Sequence, residues 1–477
     1  MIEKSPECLG WYEEDLKAYM KSQEKKFTPQ QFHLKNYDID PKYIDELIGE
    51  CTSSNVISSD LYKKMDIVPG LRGTFVGLTN IGDVKGHDVV GGTKIPVEGR
   101  LNYRGIDIKS IVQGFQNDNR QGFCEITYLL LFGKLPSSKD LEKFAAMIDN
   151  FRDLPEDFIE SIIINTPSFD LMNMLSREVL ALHPYDIDPE NIGIKNVLRQ
   201  GIELIARFPA MIAYGYIAKR NFYNKENIYL NKPPAGLSTA ENFLYMIRPN
   251  SEYTSLEAEL LDLALVLFAE HGGGNNSTFT LQVLTSSDTD TYSAVSAAIG
   301  SLKGPKHGGA TSTAAAMMDE IKHNVKDWKD EEEIIEYLKK IINKEAFDGS
   351  GLIYGIGNAV YTLSDPRAII LCKKAKELAS KKNRLDEFEL FNCVAKIAPR
   401  LLSKNNRFFS ANADFYSGLV YSMLDIPPEL YTPIFAMARI SGWIAHRIEE
   451  LSNGNKLIRP DYKKVYTPDI YIALTNR

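Results

Sequence analysis

From about residue 120 to the C-terminus, apolar residues recur at helical spacing almost without interruption, and this limits the available folds more than any other feature. A stripe of period 3.6 must be buried against neighbouring elements. Strand patterns are too few to supply a large sheet, so the chain reads as a mainly α protein. Two helix starts are written as capping boxes, Ser238-Thr239-Ala240-Glu241 and Thr254-Ser255-Leu256-Glu257. The second helix carries Leu256, Leu260, Ala264, Leu267 and Phe268 down one face and is expected to stop at His271-Gly272-Gly273-Gly274. Ahead of the helical region, alternation in Lys94–Val97 and Arg100–Ile108 predicts short strands joined by a turn at Glu98-Gly99. There is no fixed-period repeat and no low-complexity segment.

At 477 residues the chain can bury a sizeable core, and 44% hydrophobic with 25% charged residues is a globular balance. The net charge of −8 argues against nucleic-acid binding, which needs a basic face. The run Lys373–Lys382 lacks interleaved aromatics and reads as a solvated helix face. Cys8, Cys51, Cys124, Cys372 and Cys393 are scattered without a CxxC pair, so neither a disulfide framework nor a zinc site is expected. The acidic N-terminus has no apolar signal core, and no stretch approaches the length of a membrane span. A cytoplasmic protein is the expectation. Phosphate loops, GxGxxG turns and HExxH are missing, so no metal and no permanently bound cofactor is predicted.

Three C-terminal blocks carry the chemistry: SLKGPKHGGA (301–310), IYGIGNAVYTLSDPRA (353–368) and NADFYSGLVY (412–421). His307 directly precedes a helical run, and a helix N-terminus favours the neutral ring. A neutral imidazole can donate a hydrogen bond to a carbonyl or enolate oxygen. Asp414 is flanked by aromatics that would desolvate it and raise its basicity, although its position also suits a helix cap. Arg367, Arg439 and Arg459 are candidate carboxylate clamps, since guanidinium forks fit carboxylates bidentately. Arg439 lies inside the apolar run IFAMARISGWIA and needs a partner if buried. His271, at a helix C-terminus where the protonated form is favoured, could add a further cation.

Six ordered blocks, LNYRGIDI, AEHGGGNNSTFT, GPKHGGA, GxGxxVYxxSDPRA, DFYSGLVY and FAMARISGWIAHRIEE, resemble the citrate synthase family from roughly residue 90 to the C-terminus. The resemblance implies a helical homodimer with a large domain (66–309 and 424–477), a small mobile domain (310–423) and an N-terminal extension (1–65) of unassigned role. It also implies a Claisen-type condensation of acetyl-CoA, a co-substrate, with oxaloacetate. Asp414 matches the base that deprotonates the acetyl methyl, and His307 the histidine that stabilises the enol. His271, Arg367 and Arg439 match residues that hold oxaloacetate, and Arg459 one that reaches into the partner subunit's site.

One position departs from the family pattern. Asn358 stands where the family's GxGHxVY block has the histidine that polarises the ketone. An amide is a shorter and much less acidic donor, and losing such a donor costs about 10²–10³ in rate. A slowed synthase is the expectation. The alternatives are a condensing enzyme of the 2-methylcitrate type, using another acyl-CoA or 2-oxo acid, and a non-catalytic or site-altered paralogue that only binds ligand.

Overall fold

The computed structural model describes residues 76–90, 93–358, 360–403, 408–453, 456–462, 464–465 and 471–476. The chain divides into two compact units, 1–76 and 77–477, and apart from Val76 the described residues belong to the second. The N-terminal extension expected over 1–65, with Cys8 and Cys51, lies outside them.

The second unit begins with an antiparallel sheet of order β1-β2-β3, formed by Gly82–Val90, Thr93–Tyr103 and Ile106–Asp107. Gly82 pairs with Tyr103 and Val90 with Thr93, so the chain reverses between Val90 and Thr93 and not at Glu98-Gly99. Gly99 lies inside β2 because another backbone passes there: a Cβ on it would sit 2.1 Å from the Ser364 carbonyl oxygen. Its missing side chain serves packing, which looks the same in sequence as a turn glycine.

Helices account for most of the rest. Asp107 caps α1 (Ile108–Asn117), whose Ile108, Ile111, Val112 and Phe115 form a buried stripe. Next come α2 (Phe123–Phe132), α3 (Ser138–Asn150), α4 (Leu171–Leu182) and the 31-residue α5 (Ile194–Asn224). Both expected capping boxes are present, opening α6 (Thr239–Ile247) and α7 (Ser255–Phe268). Then follow α8 (Asn276–Thr285), α9 (Thr291–Lys303), α10 (Ala310–Asn324) and α11 (Glu331–Ile342). The last four are α12 (Pro366–Lys381), α13 (Leu385–Leu402), α14 (Ala413–Met423) and α15 (Tyr431–Ser452).

Every residue of α15 from Tyr431 to Arg447 is buried, as expected of a helix surrounded by others. It packs against α2, α4, α5, α7, α8, α9 and α10. Within 310–423, α14 packs on α10 and α12, and α13 on α11 and α12. No helix among the described residues is long and apolar enough to cross a membrane.

Helical periodicity lapses most consequentially over 343–365, between α11 and α12. Gly355 and Gly357 there take φ of +80° and +99°, values that strain any side-chain-bearing residue. The chain bridges across to Ala411 through Ile356, which brings this loop to the start of α14.

Candidate active site

Three structural pieces carry the candidate residues. The first is the turn after α7, held against α15. The helix stops at Phe268, and Gly272 (φ +81°) redirects the chain and buries His271. Arg439, fully buried on α15, donates from Nε to the Phe268 carbonyl (2.7 Å) and stacks over Phe435 at 4.8 Å. Its Nη1 and Nη2 are buried with no partner among the described residues, as is Nε2 of His271. An unsatisfied buried guanidinium edge is costly, and an anion with paired oxygens would satisfy it. Burial lowers the pKa of Arg439 to about 10, and the nearby Glu270 carboxylate opposes that fall. Glu270 accepts from the Gly272 N–H (2.5 Å) and from Nε2 of buried His446 (3.0 Å). Burial raises its proton affinity, but His446 and Arg439 outweigh this and keep it low.

The second piece is the loop leading into α12. Asp365 caps that helix through the Arg367 N–H and grips the Arg367 side chain through Nε (3.1 Å) and Nη2 (2.8 Å). It also accepts from the Ala413 N–H, which ties Arg367 to the start of α14. Burial works against the Arg367 charge, but Asp365 more than compensates and raises its pKa. Tyr361 lies edge-on to His271 at 5.4 Å and beneath the Arg367 guanidinium at 5.7 Å. Asn358 is half-buried. Its Oδ1 accepts from the Val360 N–H (2.8 Å) and Tyr361 N–H (3.3 Å), so the amide shapes its own loop and Nδ2 remains to donate.

The third piece pairs the starts of α10 and α14. His307 lies three residues before α10, and burial together with Arg439 pushes its pKa down to about 3. The ring is neutral, as expected, but for tertiary reasons rather than because of the helix end. The Ser277 N–H donates to Nε2 (3.4 Å) and the Ser277 hydroxyl lies 3.0 Å from the same atom, so the ring proton belongs on Nδ1. Asp414 is the second residue of α14 and not its cap; Asn412 is the cap and accepts from the Asp414 N–H. Asn412 also donates to the Gly357 carbonyl (2.8 Å), tying α14 to the loop that bears Asn358. Burial raises the pKa of Asp414, while a 2.6 Å hydrogen bond from Thr311 Oγ1 and the charge of Arg367 lower it.

Electrostatic coupling shows which residues share one site. Arg439 acts on His271, His307 and Asp414, and Arg367 acts on His271 and Asp414. His271 is not a cation. Burial, then Arg367, Arg439 and His307, hold its pKa well below the ordinary value, outweighing the about 0.3–1 kcal/mol that a helix end can offer. Arg459 is exposed; the Ile458 N–H next to it donates to Ser286 Oγ at the end of α8. Among the described residues it makes no contact with the rest of the set.

Sequence reasoning missed Asp365, Glu270, Ser277, Thr311 and His446. A signal existed for His446, which sits seven residues after Arg439 on one helix and therefore on the same face. Asp365 also carried a local signal, an acidic cap just before Pro366. Its tie to Ala413 joins residues far apart in sequence, as do the ties of Glu270 to His446, Ser277 to His307 and Thr311 to Asp414.

The fold and these residues define a class: a mainly helical protein that gathers two arginines, two histidines and a carboxylate, with buried guanidinium nitrogens of the kind that suit an anion. A family model described as the citrate synthase C-terminal domain matches residues 70–461, and the chain belongs to the citrate synthase family. It is 32% identical to a citrate synthase of Synechocystis sp. over 412 residues, covering 86% of this chain and 93% of that one. It is 31% identical to a 2-methylcitrate synthase of Shewanella oneidensis over 414 residues, covering 86% and 97%. Among solved structures it matches the citrate synthase of Thermoplasma acidophilum, a ternary complex with carboxymethyl coenzyme A and oxaloacetate. That match has a TM-score of 0.70 at 27% identity and covers 86% of this chain and 98% of that one.

Proposed function

We propose that the protein condenses acetyl-CoA with oxaloacetate to give citrate and free CoA, as a cytoplasmic homodimer. The observation that carries this reading is the fully buried Arg439, with two unpartnered guanidinium nitrogens beside neutral His307 and desolvated Asp414. That set can fix a carboxylate and remove a proton from carbon next to it.

Asp414 takes a proton from the acetyl methyl while Nδ1–H of His307 donates to the thioester oxygen, giving the neutral enol. The enol carbon attacks the ketone carbon of oxaloacetate. The C–C bond forms as the enol O–H returns its proton to Nδ1 of His307 and the thioester carbonyl is restored. Meanwhile the ketone oxygen gains the proton that Asp414 took and becomes the tertiary hydroxyl. Water then cleaves the thioester, releasing citrate and the CoA thiol. Arg439 and Arg367 hold the oxaloacetate carboxylates, and His271 lines the same wall. Arg459 would enter the site from the second subunit, and residues 310–423 would close over the substrates to exclude water. No resident cofactor takes part.

Asn358 polarises the ketone through Nδ2 in place of a histidine, which slows turnover. The test is thiol release by the parent and Asn358→His side by side. The reversion is expected to be about 10²–10³ faster. Equal rates would overturn the role given to Asn358, and no release by either would overturn the substrate pair.

A second reading, supported by the 2-methylcitrate synthase relative, is condensation of propionyl-CoA. It predicts that the parent prefers propionyl-CoA to acetyl-CoA in the same assay. A site that binds ligand without turnover is the third outcome.

A further inference from the structure

Thr311 is the second residue of α10, just as Asp414 is the second residue of α14, and the two helices meet at their N-termini. Gly418 of α14 lies at this contact, where even a Cβ would meet only ordinary van der Waals distances. A Cβ there would sit 3.4 Å from the Ala315 Cβ and 3.7 Å from the Thr311 carbonyl oxygen. Thr311 is buried, and its Oγ1 donates to Asp414 Oδ1 over 2.6 Å. A hydroxyl facing a carboxylate at this distance can only donate, because the carboxylate has no proton to offer. Among the described residues Asp414 Oδ2 has no such partner.

We propose that Thr311 is a positioning residue for the base: its hydroxyl occupies Oδ1 of Asp414 and leaves Oδ2 as the oxygen that takes the proton. The proposal rests on the reading of Asp414 as the base. It explains how a half-buried, desolvated carboxylate stays ionised enough to work. Burial drives Asp414 towards its protonated form, and Thr311 is the largest opposing influence. The charged groups acting on it are Arg367 and Asp365 from the start of α12 and Arg439 from α15. The Tyr421 hydroxyl, on its own helix, is held protonated partly by Asp414.

The experiment compares Thr311→Val and Thr311→Ser with the parent. Thr311→Val keeps the shape and removes the donor. The acid limb of its kcat/KM profile is expected to move to higher pH, with roughly tenfold lower kcat/KM on that limb. KM for oxaloacetate is expected to hold, and Thr311→Ser to restore the parent profile. A merely structural role would lower activity at every pH alike.

Asp414→Asn separates the two claims. Full activity in that variant would sink the reading of Asp414 as base. An inactive Asp414→Asn alongside a Thr311→Val profile that superimposes on the parent would overturn the role of Thr311. Infrared titration supplies a readout independent of turnover. The carboxylic-acid band that Asp414→Asn removes is expected to persist to higher pH in Thr311→Val, and an unmoved band would refute the proposal.

Discussion

Asp365 decides more about this site than its single charge suggests. It holds both the backbone and the side chain of Arg367 and receives the first N–H of α14. Asp365→Ala leaves a buried guanidinium unpaired, and about 3–5 kcal/mol of stability should be lost, measurable as a lowered urea midpoint. If the midpoint holds, Asp365 is not the junction described. At this scale the sequence was readable where chemistry clashed with its neighbours: Arg439 was conspicuous as a cation inside an apolar run. It was unreadable where the partner was remote, as with Asp365 and Ala413, 48 positions apart. It misled for His271, whose protonation was judged from the local helix end although two arginines brought in by tertiary packing govern it.

Among the elements, the hairpin of β1 and β2 braces the loop that carries Asn358. Thr362 Oγ1 donates to the Gly86 carbonyl (2.7 Å), the Gly99 N–H donates to Ser364 Oγ (3.2 Å), and Ser364 also pairs with Glu98. The fit needs two missing side chains, since a Cβ on Gly86 would lie 2.2 Å from the Val360 carbonyl oxygen and one on Gly99 2.1 Å from that of Ser364. Gly99→Ala should therefore separate hairpin from loop. Faster hydrogen exchange across 358–366 and reduced thiol release are expected, at an overpacking cost of about 1–3 kcal/mol. Unchanged exchange would show that the loop needs no brace. The starts of helices that carry their own caps, such as α6 and α7, were legible to the residue because caps are local, whereas α7 ends at Phe268, short of the expected stop at His271–Gly274. The hairpin reversal was misplaced because a packing glycine and a turn glycine look alike in sequence.

For the molecule as a whole, two consequences can be measured. Glu178, on α4 against Gly215 of α5, is fully buried with neither carboxylate oxygen partnered among the described residues, and burial raises its pKa from 4.5 to about 8. Its folded-state pKa is raised, so its stabilising contribution is complete below pH 4.5 and is lost as pH rises through about 8. Glu178→Gln should then raise the thermal midpoint at pH 8 and leave it nearly unchanged at pH 4; equal effects at both would contradict this. The second consequence concerns assembly. If Arg459 serves the partner's cleft, co-refolding inactive Asp414→Asn with inactive Arg459→Ala restores roughly a quarter of the sites, because mixed dimers carry one intact set. No recovery would confine the site to one chain. Within a single chain Arg367 is matched by Asp365 and Arg439 faces Glu270, so the cleft holds little surplus positive charge of its own. Should Arg459 of a second subunit complete the site, a dianion would draw further counter-charge from it, and ligand affinity and subunit association would then be reciprocal. Dilution would then weaken the grip on the dicarboxylate, and the dicarboxylate would in turn protect the pair against dilution.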